Sequence, residues 1–298
     1  MAPWIRIACL ILLIILGLYG INILGFWIFN RVSHPEATEK ERQEWQINNF
    51  NPDGFLTWNT NPGFDNLNYD GGLKEKDIAA YAPLGQNSWG MYNFAWSFWE
   101  PQIPLDRFHA YIKNGQYHAY LKHGRGWSYG VTMISQGTYS GNPSSKTWHC
   151  PKPLNIKNKK LILSFDARVD QAKVDITKEP LSWLMMGVNV WYRSPHMPKP
   201  LVMDVMFYSY KGVVFTQEDE IAYHYQYVLN RGKNDINKWQ HYDMDLNWLI
   251  DRAVKRFKLK NYRDELEIVQ LDILIEAVYA EGAFTSDNLG IYYQEIKP

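Results

Sequence analysis

From residue 50 onward, apolar and polar side chains alternate at every second position along one stretch after another, and a 3.6-residue period is scarce. A period of two belongs to strands with one covered face, so this chain must build sheets and bury that face against a second layer. The sharpest local case is FHAYIK-NG-QYHAYLK, residues 108–122. Asn114 and Gly115 both tolerate positive φ, which a type I′ hairpin turn requires. Further strands are predicted at 127–135, 160–169, 183–193, 201–210, 220–229, 239–245, 266–280 and 289–296. One helix is predicted over 247–259 (NWLIDRAVKRFKL), capped by Asn247, with Trp248, Leu249, Ala253 and Phe257 on or near one face. Many strands, one late helix and no internal repeat predict a single all-β domain over residues 50–298, a jelly-roll β-sandwich of two antiparallel sheets. Residues 51–106 are loop-rich and Trp-studded, and no strand is assigned there.

The segment ahead of the domain has a different character. Residues 7–29 (IACLILLIILGLYGINILGFWIF) carry no charge, and 23 residues at 1.5 Å each span a hydrocarbon core. Its length and the absence of a small-residue cleavage site distinguish it from a cleavable signal peptide. Residues 1–30 are therefore expected to form a single-pass transmembrane signal-anchor, and the polar residues 31–49 a stalk. Arg6 and the α-amino group favour a cytoplasmic N-terminus, which places the domain outside the cytoplasm. The chain has 31 basic and 31 acidic residues, a balance that argues against a nucleic-acid partner. Cys9 lies in the apolar segment and Cys150 stands alone in the domain, so no disulfide within the domain is expected.

Several motifs fail on context. Gly126-Trp127-Ser128-Tyr129-Gly130 matches the nucleophile-elbow pattern, but the residues that follow are strand-like where a helix is needed. Asn66-x-Asn68-x-Asp70-Gly71 faintly echoes a calcium loop, with Asn in the first ligand place and Lys74 in the ninth. The eight His are scattered without H-x-x-x-H spacing. No metal and no cofactor are expected.

Carboxylates on strands are more informative. In LVMDVMFYSY (201–210), alternation puts Asp204 on one face with Val202, Met206, Tyr208 and Tyr210, an apolar setting that is costly for an acid without a task or a partner. In strand 266–280, Gln270, Asp272, Leu274 and Glu276 share one face, and Val269, Leu271, Ile273 and Ile275 the other. Glu281 follows, at a predicted strand end or bend. The 13 Trp, 20 Tyr and 13 Phe suit both a packed sandwich and a cleft whose rings stack on sugars.

Val188-Asn189-Val190-Trp191-Tyr192, followed by Met203-Asp204-Val205-Met206-Phe207-Tyr208, resembles the paired strands of family-12 glycoside hydrolases, which are related to family 11. Those enzymes have a concanavalin-like fold, an acidic-x-Trp strand and a Glu-x-Met-x-Trp strand bearing the nucleophile. Ala280-Glu281-Gly282-Ala283-Phe284 resembles that family's Glu-Pro-Phe segment, which carries the acid/base. The resemblance spans residues 183–296. It implies a retaining endo-acting hydrolase of β-linked glucans or related polysaccharides, with Asp204 as nucleophile and Glu281 as acid/base at a carboxyl separation of about 5–5.5 Å. It also implies sugar contacts from Asn189, Trp191, Tyr208, Trp127, Trp96 and Trp99. Asp204 is one methylene shorter than the family's Glu, and Asn189 stands where the family has an acid. Two rival readings remain. Phe284–Ile291 also resembles the last strand of non-catalytic carbohydrate-binding jelly rolls, and the aromatics would serve equally in a structural domain.

Overall fold

The computed structural model describes residues 39–77, 80–83, 89–97, 105–125, 128–137, 151–178, 182–210, 217–218, 221–229 and 236–296, without the side chains of residues 39, 76–83, 94–97 and 217. The expectations for residues 1–30, Cys9, Cys150, Trp99 and Trp127, and for the side chain of Trp96, fall outside that description. The chain divides into residues 1–35 and 36–298, and the described residues all belong to the second unit. Among them no helix is long and apolar enough to cross a membrane.

Helix α1 (Glu39–Trp45) precedes the strands β1 (Leu56–Thr57), β2 (Tyr69–Asp70), β3 (Lys74–Asp77), β4 (Ala80–Pro83) and β5 (Gly90–Ser97). Then come β6 (Leu105–Lys113), β7 (Gln116–His123), β8 (Ser128–Gly137), β9 (Leu154–Asn155), β10 (Lys159–Val174), β11 (Trp183–Arg193) and β12 (Leu201–Ser209). The last elements are β13 (Gln217–Glu218), β14 (Tyr223–Val228), β15 (Gln240–Asp245), helix α2 (Leu246–Arg256), β16 (Glu267–Val278) and β17 (Ala280–Glu295). Sheet A runs β15-β10-β17-β7-β6-β2, with β1 on β17 and β3 on β6. Sheet B runs β13-β14-β12-β11-β16-β8-β5-β4, with β9 on β16. Nearly all pairs are antiparallel; β12 and β14 are parallel.

The expected two-sheet sandwich is therefore present. Alternation assigns Val188, Val190, Met203, Val205, Leu271, Ile273 and Ile275 of sheet B to the core, where they meet Leu121, Leu161, Leu163, Phe165 and Phe284 of sheet A. Phe207 bridges the layers, with its ring 6.0 Å from Phe165 and 5.5 Å from Phe284. The hairpin forms as expected, with Asn114 at φ 54° and Gly115 at φ 73° between β6 and β7. The late helix forms too, but its cap is Asp245, whose carboxylate accepts from the backbone N–H groups of Asn247 and Trp248. Asn247 instead ties the helix to β10, accepting from Leu161 N–H and donating to the Lys159 carbonyl.

Residues 51–106, left unassigned from sequence, contribute five strands to the two sheets. Residues 39–47, placed in the stalk from sequence, belong to the domain. Trp45 is buried in the core and donates from its indole to Tyr227 Oη at 2.7 Å, and Ile47 N–H bonds the Asp243 carbonyl at 3.0 Å. Arg42 reaches the Leu229 carbonyl at 2.5 Å, and Glu41 pairs with Arg252 at 3.0 Å. A Trp45→Ala variant should lose about 3–5 kcal/mol, the usual range for truncating a buried aromatic. Chemical denaturation of wild type and variant checks this, and a difference under about 1 kcal/mol would mean the segment is a tether after all.

The turn from sheet B to sheet A late in the chain decides where Glu281 goes. β16 ends at Val278, Tyr279 alone makes the corner at φ 48°, and β17 starts at Ala280 in the other sheet. Gly282 faces the core; a Cβ there would meet Met186, Ile275 and Leu184 within 2.9 Å. Glu281, one position earlier, therefore faces outward from sheet A.

Candidate active site

The outer face of sheet B carries a row of polar side chains in register across five strands. Gln226 of β14 lies opposite Asp204 of β12, which lies opposite Asn189 of β11, which lies opposite Asp272 of β16, which lies opposite Ser135 of β8. Gln226, Asp204, Asp272 and Ser135 are all buried, although they point away from the hydrophobic core. Buried polar groups demand partners, so the row is knitted together. Asp272 accepts from the Trp191 indole at 2.7 Å and from Gln270 at 2.8 and 3.0 Å. Asp204 Oδ2 lies 3.2 Å from His224 Nδ1, and His224 stands edge-on to Trp191 with centroids 6.4 Å apart. The oxygen of Asn189, between the two acids, is buried without a hydrogen-bond partner among the described residues.

A third acid joins them. Glu276 lies further along β16, opposite Met185 of β11 and Val131 of β8. Met185, Met206 and Val228 form an apolar cluster on this face, with Trp183 packed against it. Burial first, and the negative charge of Asp204 second, lift the Glu276 carboxyl to about 7, against the opposing pull of His224 and Trp183. Asp272 is raised to about 6, first by burial and last by the charge of Asp204, against the hydrogen bonds from Gln270 and Trp191. As a residue Glu276 is less enclosed than Asp272. Glu276 and Asp204 share this face, four residues apart in register and on strands separated by β11.

The residues expected from sequence divide accordingly. Asp204, Asn189 and Trp191 come together on this face. Tyr208 does not: a bulge lets Met186 pair with Tyr208 while Gly187 pairs with Met206, which breaks the alternation and turns Tyr208 into the core with Phe207. Glu281 does not either. It sits in sheet A between Lys122 and Lys173, facing away from the sandwich on the side opposite to Asp204. The Tyr279 corner is the physical reason: it carries Glu281 to sheet A, while Glu276 of β16 keeps to the sheet B face that holds Asp204. Trp96 holds a register position opposite Tyr129 in β5. His224 and Gln226 were missed, because only the parallel pairing of β14 with β12 sets them beside Asp204, and no local pattern encodes that pairing. Ser128 opens a strand and no helix follows it; its hydroxyl meets His123 Nε2 at 2.9 Å, with both residues buried.

No family model and no curated protein matches the sequence. Solved structures similar in fold include a thermostable cellulase derived from that of Rhodothermus marinus, 12% identical over 76% of this chain and 100% of that one, with a TM-score of 0.44. The family 11 xylanase of Neocallimastix patriciarum is 8% identical over 76% and 100% of the chains, at 0.46. A family 12 xyloglucanase from Bacillus licheniformis is 8% identical over 75% and 99%, at 0.42. At these values the likeness assigns no family.

Proposed function

We propose that this chain is a retaining endo-acting glycoside hydrolase of β-linked glucans or related polysaccharides, with Asp204 as nucleophile and Glu276 as acid/base. In the first step an Asp204 oxygen bonds the anomeric carbon as the glycosidic C–O bond breaks, and the Glu276 proton passes to the departing oxygen. In the second, Glu276 takes a proton from water, the water oxygen bonds the anomeric carbon, and Asp204 leaves as carboxylate. Trp191, half-buried on the same face, suits the C–H face of a pyranose ring. The observation that carries this reading is electrostatic: an acid protonated up to about 7 shares a sheet face with a carboxylate whose charge helps keep it so. The uncharged stretch at residues 7–29 extends the proposal to a membrane-anchored enzyme acting outside the cytoplasm.

The test is reducing-end release from a panel of β-glucans, xyloglucan and xylan, with Glu276→Gln and Glu281→Gln in parallel. Release by wild type and by Glu281→Gln, but not by Glu276→Gln, is the expected result. Binding without release from any polymer would turn the proposal into a carbohydrate-binding domain. Proton NMR of the first product then reads the anomeric configuration; an inverted product would remove the covalent step assigned to Asp204.

A further inference from the structure

We infer that the outer face of sheet A carries a second, non-hydrolytic site for a neutral oligosaccharide, centred on Glu281. The strand register builds it. Glu75, Arg107, Lys122, Glu281 and Lys173 form one row across β3, β6, β7, β17 and β10. In the next row, His109 and Tyr120 stand on one side of Ala283 and Gln171 on the other. Ala283 is short, and the Gln171 and Tyr120 side chains on its two sides both reach Glu281. An open depression is lined by Leu73, Arg107, His109, Tyr120 and Glu281.

The chemistry of this depression selects the ligand. Gln171 donates to Glu281 Oε1 at 2.5 Å and Tyr120 donates to the same oxygen at 3.3 Å. Both bonds fix the carboxylate, while among the described residues Oε2 has only the Lys122 ammonium, 3.9 Å away and beyond hydrogen-bond distance. Oε2 is thus oriented, partly exposed and open to a donor. The two charges that line the depression are opposite, Arg107 (paired with Glu75 at 3.3 Å) and Glu281 (3.9 Å from Lys122), while the exposed Lys173 lies outside the lining, so within the depression neither an anion nor a cation is favoured. A group that donates to Oε2 and accepts from the Arg107 guanidinium is a hydroxyl, and the exposed Leu73 offers an apolar surface for C–H groups. A polyhydroxylated ring with one apolar face combines these features. This inference does not depend on hydrolysis at sheet B.

Calorimetric titration of the full chain tests it, in a Glu276→Gln background so that the probe is not consumed. The probes are hexaoses of β-1,4-glucose, β-1,3-glucose and β-1,4-xylose. The expected result is two molecules bound per chain for at least one hexaose. Ala283→Leu, which adds bulk between Tyr120 and Gln171 beside Glu281, should remove one of them, and Glu281→Ala should weaken the same one at least tenfold. Circular dichroism reports whether each variant is folded, and either variant alone suffices. Stoichiometry unchanged in both folded variants, no binding of any hexaose, or binding confined to a sulfated hexaose would overturn the inference. If wild type hydrolyses nothing yet the Ala283-sensitive molecule still binds, the hydrolase reading fails and this one stands.

Discussion

Replacing Glu276 with Gln should lower kcat on the best polysaccharide by about 10²–10⁴-fold, the range that general acid–base catalysis contributes. The amide keeps the shape and fills the same space between Met185 and Val131, so its loss is one of proton transfer. The wild-type pH profile should fall on its alkaline side near 7, as the folded-state carboxyl loses its proton. That limb has a sign that can be checked on stability as well. A carboxyl raised from 4.5 to about 7 favours the folded state below 4.5, and this contribution is lost as pH rises to about 7. Glu276→Gln should therefore flatten stability between those values while removing activity. Asp204→Asn makes the converse case: it deletes the neighbouring charge, so the Glu276 carboxyl should titrate lower than in wild type. An activity profile whose alkaline side is unaltered in slow residual turnover by Glu276→Gln would show that another group supplies the proton.

The largest effect on folding should come from Gly137→Ala. Gly137 closes β8 at φ 145°, and a Cβ there would lie 2.3 Å from the Val269 carbonyl oxygen and 2.4 Å from Gln270 Cα. Both are backbone atoms of β16, the strand that presents Asp272 and Glu276, so no side chain can swing aside to relieve the clash. Relief requires β8 to separate from β16 at Gly137–Gln270, where the strands pair. The expected loss is above about 4 kcal/mol, at the far end of single-substitution effects. Denaturant unfolding measures it; a variant within about 1 kcal/mol of wild type would show that the strand end relaxes freely. The smaller Trp45→Ala effect provides a scale, since it removes contacts without forcing backbone apart.

The sheets were largely legible because alternation is a local property. Residues 183–193 were bounded as observed, and the two faces of β16 were assigned correctly, with Asp272 and Glu276 together opposite Leu271, Ile273 and Ile275. What escaped the sequence lies where a single residue changes the rule. One bulge between β11 and β12 reversed Tyr208, and one residue at positive φ, Tyr279, carried Glu281 to the other sheet. Tyr-Ala-Glu-Gly-Ala-Phe reads as a strand end because a corner made by a non-glycine residue leaves no compositional mark. Gly282 was the available clue, being small at a core-facing position where the two layers meet. His224 and Gln226 could not be found locally, since the parallel pairing of β14 depends on a long connection.

The strap formed by residues 39–47 has a mechanical consequence. Its anchor points, Leu229, Tyr227 and Asp243, lie on or just beyond β14 and β15, at the margins of the two sheets. Tension applied to the chain ahead of Glu39 would be borne first by these bonds, and β14 also carries His224, the imidazole beside Asp204. The strap and the setting of Asp204 thus share one short strand.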